Sequence, residues 1–571
     1  MPGVTTHILL LRRIAQAAPQ ELRDIFASHP NHAAWGSIGP DAFYFHPADW
    51  GPLGTFFSFI YDVQDTLRDL IGLYDEINDA LEDIDNFLTG GLYLEIKRTT
   101  ESLMITVKAI LFRALSDQVD LFKVIRPPLS VGDPVTKWWW VDILHHHRAS
   151  AFASRLWHNA GRDTSVKAYC LGYVSHIAGD VVAHPYVNVV SGGPFRLHGR
   201  RHVFVEKCFD TYLMDKWLGL PLSNCQLHKD IRFGDESAPP KLPDSLCAVI
   251  AQSLREVYAD LGIESGVPKE KDIHTGYFFF YKFMEATTSM AGINLPAPPD
   301  FDFFHLPDEI KNLIKPPPRI NVPPGMPDSL DDWRNLLASL IAFIEWAIET
   351  VIAITAVAYS VFAQLTTAAL RFVLWLIQRL IYEIYDKIRL SLAISAHLHP
   401  ETHHLRYFER IIHPAYRPLL EYKYPFESPP FTPDQTYHLI HPSQMRLGTE
   451  GPTCRPASVY TGGLSGINGD AFYDVESPLV GDSPSPSGDP LLEVCSAADS
   501  DEVERLINAR RHYRSAKSLC LKLYESLLTS GGTDMPNWNL DADRGYAWPS
   551  WKWLRGKPWH GPTDFALYCN E

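Results

Sequence analysis

Residues 172–184 read GYVSHIAGDVVAH, and this stretch decides how the chain is read. On a helix, His176, Asp180 and His184 fall at i, i+4 and i+8 and stack along one face. A second pair with the same spacing follows in His202 and Glu206. Imidazoles mixed with carboxylates suit zinc better than magnesium or calcium, which prefer shells of oxygen alone. Of the 24 histidines, eight lie between His145 and His202, at 145, 146, 147, 158, 176, 184, 198 and 202. One His-x3-Asp pair on an apolar helix is ordinary core or surface chemistry. Several of them on neighbouring segments point to a metal site.

Five segments, in order, carry a resemblance. They are GVTTHILLLRRIAQ (3–16), WGSIGPDAFYF (35–45), DILHHHRAS (142–150), LGYVSHIAGDVVAHPYVN (171–188) and NVVSGGPFRLHGRRHVFVEKCFD (188–210). Together they resemble the zinc-dependent phospholipase C family, which includes bacterial phospholipases C and the catalytic domain of glycosylphosphatidylinositol-specific phospholipase D. The first looks like the family's opening Thr-His helix and the second like its Gly-x-x-x-Pro-Asp turn. The third looks like its next histidine ligand and the last like its closing His-x3-Glu helix. The resemblance covers about residues 1–50 and 135–225, and motifs in sequence order are more specific than any one alone.

The resemblance implies a ligand set of His7, Asp41, His145, His176, Asp180, His184, His202 and Glu206. Asp41, His145, His176 and Asp180 match the group holding one zinc. His184, His202 and Glu206 match the group holding a second. His7, with Asp180 as bridging carboxylate, matches the protein side of a third, so two or three Zn2+ ions are implied. The chain departs from the secreted bacterial members in two places. Those members use their mature N-terminal amine as a further ligand, whereas here His7 follows a short leader beginning Met-Pro-Gly. The spacing from Asp180 to His184 is shorter than in those enzymes but like the wider family. Within the triple 145–147, position 145 aligns best and 146 stays an alternative.

The chemistry implied is phosphodiester hydrolysis. Clustered zinc neutralises phosphate oxygens and lowers the pKa of a water to roughly 7. Asp41 and Asp180 are the implied catalytic carboxylates, with Asp41 partly ligand and partly proton acceptor. Asp210 is a candidate to orient the histidines from behind; a solvated helix charge is the plainer expectation for it.

At 571 residues the chain exceeds one ordinary core, and 46% hydrophobic content supplies ample material for burial. The net charge of −16 argues against nucleic acid as a partner and against general attraction to anionic lipid. Eight cysteines, at 170, 208, 225, 247, 454, 495, 520 and 569, form no CxxC pair and no disulfide framework. No secretory signal is read at the N-terminus, because Arg12 and Arg13 interrupt the short apolar run. The expected localisation is cytoplasmic as synthesised, with membrane association or a signal-independent export route left open.

The expected fold is mostly α, in four parts. Residues 1–290 form a multi-helix phospholipase C-like zinc domain, with ligands facing inward as in bundle metal sites. A helical insertion occupies about 51–135, with an acidic amphipathic helix whose apolar positions run from Leu67 to Leu88, and a second helical run over 93–125. A proline-rich linker covers 291–330. An apolar helical region at 331–425 contains 21 uncharged positions, 350–370, long enough to span roughly 30 Å of hydrocarbon. Burial in a helical layer, conditional membrane contact and a constitutive anchor compete for that run, in that order. His397, His399, His403 and His404 lack a matching carboxylate pair and are expected at a surface or interface. Residues 426–571 read as loop-rich with a helix at about 499–530 and a Trp- and Pro-rich end.

The function implied is zinc-dependent hydrolysis of a phospholipid phosphodiester, of phospholipase C type, at a membrane surface. A phospholipase D-type cleavage and a zinc-dependent nuclease are the enzymatic alternatives. A membrane-active protein that kept the fold without catalysis is the third. Headgroup and oligomeric state are not legible in the chain.

Overall fold

The computed structural model describes residues 3–47, 135–191, 195–288, 398–407 and 516–535, with single positions elsewhere that include 540 and 541. The insertion helices, residues 350–370 and the loops at 426–490 lie outside the described residues. Among the described residues every regular element is helical, as expected. Helices α1 (Val4–Ala17), α2 (Gln20–Ser28) and α3 (Pro30–Ile38) run into a 3-10 segment, Gly39–Phe45. Then come α4 (Trp140–His146), α5 (Ala149–Ala160), α6 (Thr164–Ser191) and α7 (Phe195–Leu218). Finally, α8 (Asp244–Tyr258), α9 (Glu270–Thr288) and α10 (Ala516–Ser530) complete the set.

Helix α6 is the axis of the unit. Its start is set by Asp163, whose Oδ1 accepts from the Ser165 and Val166 amides at 2.9 and 3.3 Å, an N-cap that satisfies donors the helix itself cannot. With 28 residues it is about 42 Å long at 1.5 Å per residue. Val166, Tyr169, Cys170, Leu171, Tyr173, Val174, Ile177 and Ala178 are all buried, so apolar residues face every side. A helix of that kind sits inside a bundle rather than on its surface. Helices α1, α2, α3, α5, α7 and α10 all pack against it.

The closest of these contacts is with α3. A Cβ at Gly36 would collide with the Tyr169 carbonyl, and one at Gly172 with the Ala33 carbonyl. The two backbones therefore touch, and this brings the loop after α3 over the middle of α6. Gly172→Ala is expected to cost more than the roughly 1–3 kcal/mol of ordinary overpacking, because backbone rather than a rotatable side chain blocks the methyl group. Thermal melting checks this; a loss under about 0.5 kcal/mol, the range of neutral surface changes, would contradict the packing described.

Contacts divide the chain into two compact units. Met1–Gly51, Pro128–Ser289 and His399–Glu571 form the first, and Pro52–Pro127 with Met290–Leu398 form the second. The C-terminal region thus contributes to the first unit. Helix α10 covers 516–530 of the helix expected at 499–530, and residues 499–515 are outside the described set. Ala516, Leu519, Cys520, Leu523, Tyr524 and Leu527 of α10 are buried, and the Tyr524 hydroxyl donates to the Leu171 carbonyl at 3.0 Å. The helix expected in the C-terminal region therefore builds, over 516–530, one wall of the core. Among the described residues no helix is long and apolar enough to cross a membrane.

Candidate metal centre

Five helical segments bring the sequence-derived ligands inward. His7 comes from α1, Asp41 from the 3-10 turn, and His145 from α4. His176, Asp180 and His184 come from α6, and His202 and Glu206 from α7. All eight are buried, none more than 5% exposed. Eight such groups without water must find one another, a cation, or both, because isolated buried charge is costly.

They form two neighbouring groups. In the first, Asp180 is central. Its Oδ1 lies 3.1 Å from His7 Nε2; its Oδ2 lies 2.9 Å from His176 Nε2 and 3.7 Å from His145 Nε2. Asp41 Oδ1 is 3.4 Å from His145 Nε2. The His7 and His176 rings stack with centroids 3.9 Å apart. In the second, His202 Nε2 is 2.9 Å from Glu206 Oε1, and the His184 and His202 rings lie 5.2 Å apart. The eight-residue step from His176 to His184 is about 12 Å along a helix, which is why one helix serves two groups.

Local structure fixes which nitrogen each ring presents. His145 Nδ1 meets the Val141 carbonyl at 2.6 Å and His176 Nδ1 meets the Ser37 carbonyl at 3.0 Å. His184 Nδ1 contacts the Leu540 carbonyl. With Nδ1 donating to backbone oxygen, Nε2 keeps its lone pair and faces the cluster, the usual arrangement behind a metal-binding imidazole. Gly39 holds φ +57°, and a Cβ there would lie 2.6 Å from the His176 ring. The turn that delivers Asp41 thus presses against a ring it helps to place, and a bulkier residue would be strained there as well as blocked. His146, the alternative to His145, is buried away from the cluster with its ring edge-on to Trp138 at 5.5 Å.

Asp210 is buried rather than solvated. It accepts from the Thr6 amide at 3.0 Å and the Thr6 hydroxyl at 2.6 Å, so it fastens the first turn of α1, and with it His7, instead of orienting a ring directly. His399 and His404 are also buried, which corrects the expectation of surface histidines; His399 Nε2 lies 3.7 Å from Asp210. His403 is exposed, as expected.

The donor set fits a cation. His7 Nε2, Asp41 Oδ1, His176 Nε2, both oxygens of Asp180 and His184 Nε2 are buried without a hydrogen-bond partner, although several sit at contact distance. Close but misaligned nitrogen and oxygen atoms are what ligands look like around the space a metal fills, whereas a purely polar core pairs such atoms. The electrostatics agree. Burial lowers His7 to about 4, so the ring is neutral and able to ligate. Burial pushes Asp41 well above the carboxylate range and Glu206 up to about 7. Burial also opposes ionisation of Asp180, but the His176 and His7 rings outweigh it and hold this carboxyl well below its usual range. The crowding of carboxyl groups is a charge excess that a dication would relieve.

Among the described residues, three mutually close trios that lie wholly within the first unit meet metal-binding geometry, each with ligand atoms within 4.8 Å of one another. They are His7, Asp41 and His176; His145, His176 and Asp180; and His184, His202 and Asp541. Residues 6–244 match the family model of zinc-dependent phospholipase C. The family resemblance drawn from the five motifs is thus an observed match, and it spans every candidate ligand from His7 to Glu206. No curated protein and no solved structure matches the chain.

Asp541 is the residue that sequence reasoning missed. Nothing local marks it: the segment NLDADRGY has no helical spacing and no second ligand beside it. Its partner His184 is hundreds of positions away, and only the docking of α10 on α6 brings it close.

Proposed function

We propose that the first unit is a zinc-dependent phosphodiesterase of phospholipase C type, acting on phospholipid. One observation carries this: two adjoining, buried sets of imidazoles and carboxyl groups, in which facing atoms of His7, Asp41, His176, Asp180 and His184 lack hydrogen-bond partners, within a match to that family. Asp41, His145, His176 and Asp180 would hold one zinc. His184, His202 and Glu206 would hold a second, and His7 with Asp180 would serve a third. When bound, zinc would supply charge neutralisation at the phosphoryl oxygens and a water acidic enough to attack at neutral pH.

The chain's own groups divide the remaining work. Asp180 stays ionised and presents its two oxygens in different directions, which suits a bridge. Asp41 would serve partly as ligand and, in its ionised form, partly as acceptor of the attacking water's proton. The helices exclude bulk water, which strengthens each of these interactions.

Purified, zinc-loaded protein offered phospholipid vesicles and single-stranded DNA in parallel is expected to cleave the lipid only. Diacylglycerol with a phosphorylated headgroup indicates cleavage of C type, and phosphatidic acid indicates D type. DNA cleavage would redirect the substrate assignment, and inertness toward both would defeat the enzymatic one. Lipid access also needs an apolar element, given the charge of −16. We assign this to the uncharged run 350–370, where Val361→Asp should weaken vesicle binding and spare a soluble phosphodiester. Equal loss on both substrates would contradict that part.

A further inference from the structure

The second cluster has a carboxylate that its motif does not contain. Asp541 Oδ1 lies 3.5 Å from His184 Nε2 and 3.6 Å from His202 Nε2. The Asp541 side chain is buried, 3% exposed. The three residues whose ligand atoms are all mutually close here are His184, His202 and Asp541, and Glu206 Oε1 lies 2.9 Å from His202 Nε2. The backbone next to it is tied to both clusters. The Leu540 amide donates to the His145 carbonyl at 2.7 Å, and the Leu540 carbonyl meets His184 Nδ1. The other carboxylate oxygen, Oδ2, accepts from the Phe195 amide at the start of α7 at 3.0 Å, which aims Oδ1 at the two rings.

We propose that Asp541 is a ligand of the metal at the His184–His202 site, supplied by the C-terminal segment and closing that site with a fourth protein group beside Glu206. The inference rests on the zinc-centre reading and goes beyond it, since it assigns a metal-binding role to a residue far outside the matched region 6–244. Two imidazoles and two carboxylates make four protein donors, which would fill a tetrahedral zinc shell and leave none of the open position that a catalytic zinc keeps. The first cluster, where Asp180 and Asp41 lie, would then carry the chemistry. The second would clamp the end of the chain onto α6 and α7.

The plainer role for Asp541 is as a cap on α7 through Oδ2. Asp541→Asn separates the two, because Asn caps a helix as well as Asp but is a far poorer zinc ligand. Full-length wild type, D541N and H184A are titrated with a competing zinc chelator, and bound zinc is counted by elemental analysis. For D541N the weakest-bound zinc is expected to lose at least about tenfold in affinity, approaching H184A, with the remaining zinc unchanged. Wild-type affinity in folded D541N would overturn the ligand role and leave the zinc centre standing. A wild type that binds no zinc would defeat the zinc centre itself.

A second measurement needs no variant. Removing zinc from wild type is expected to speed tryptic cleavage at Arg544 by about tenfold, because the clamp on residues 540 and 541 is released. Cleavage at an unchanged rate would contradict the proposal even if D541N failed to fold.

Discussion

Asp180→Asn is expected to abolish turnover, with kcat/KM falling at least about a thousandfold, roughly 4 kcal/mol of transition-state stabilisation. Asp180 is fully buried, meets His7, His176 and His145 within 3.7 Å, and is the one carboxyl of the set held ionised by its neighbours. Asn keeps the shape but removes the charge that three rings face. Glu206→Gln should lose less, because Glu206 faces His202 at 2.9 Å in the second cluster and lies outside the group centred on Asp180. Kinetics of both variants on lipid, with melting curves to confirm folding, test the ranking. Equal and mild losses would mean that the cluster holds the fold together without doing chemistry.

Metal removal should have the second largest effect. Binding to the folded state alone stabilises by about 4 kcal/mol at free zinc a thousandfold above Kd, a melting shift of roughly 10 °C for a unit of this size. The shift should grow with pH. Glu206 is raised from 4.5 to about 7 by burial, so the zinc-free fold keeps that proton between those values while the unfolded chain has lost it. Proton binding therefore stabilises the zinc-free state at low pH, and this contribution fades as pH rises through about 7. Zinc must displace the same proton, so affinity should climb about tenfold per pH unit for each proton displaced, with the Glu206 contribution ending near 7. His7, already neutral above about 4, adds nothing to that slope at neutral pH. Calorimetric melts with and without chelator from pH 5.5 to 8 measure it. A chelator effect that shrinks with rising pH would contradict the assignment of Glu206 as a ligand.

The part of the molecule that could be read from the chain is the part written in local spacing. His176, Asp180 and His184 repeat every four residues on a helix, so their shared face follows from helix geometry, and His202 with Glu206 repeats the pattern on the next one. The mostly helical character of the described residues followed from the same periodicities. What spacing cannot carry is how distant segments meet. Asp541 belongs to the second cluster only because α10 packs on α6 and brings Leu540 to His184, 356 positions away in the chain. Asp210 read equally well as a solvated charge, since its role depends on α1 arriving with unsatisfied amides at Thr5 and Thr6. The burial of His399 and His404 was hidden for the same reason: histidine surrounded by polar and proline residues reads as surface until a neighbouring helix covers it.

The central claim is that the buried rings and carboxylates around Asp180 and His184 are ligands. Elemental analysis of the full chain, purified without chelators and confirmed as folded, tests it most directly. Two or three zinc ions per chain are predicted, falling by one in His184→Ala. A folded protein that carries no zinc and takes up none from a zinc-buffered solution would contradict the account.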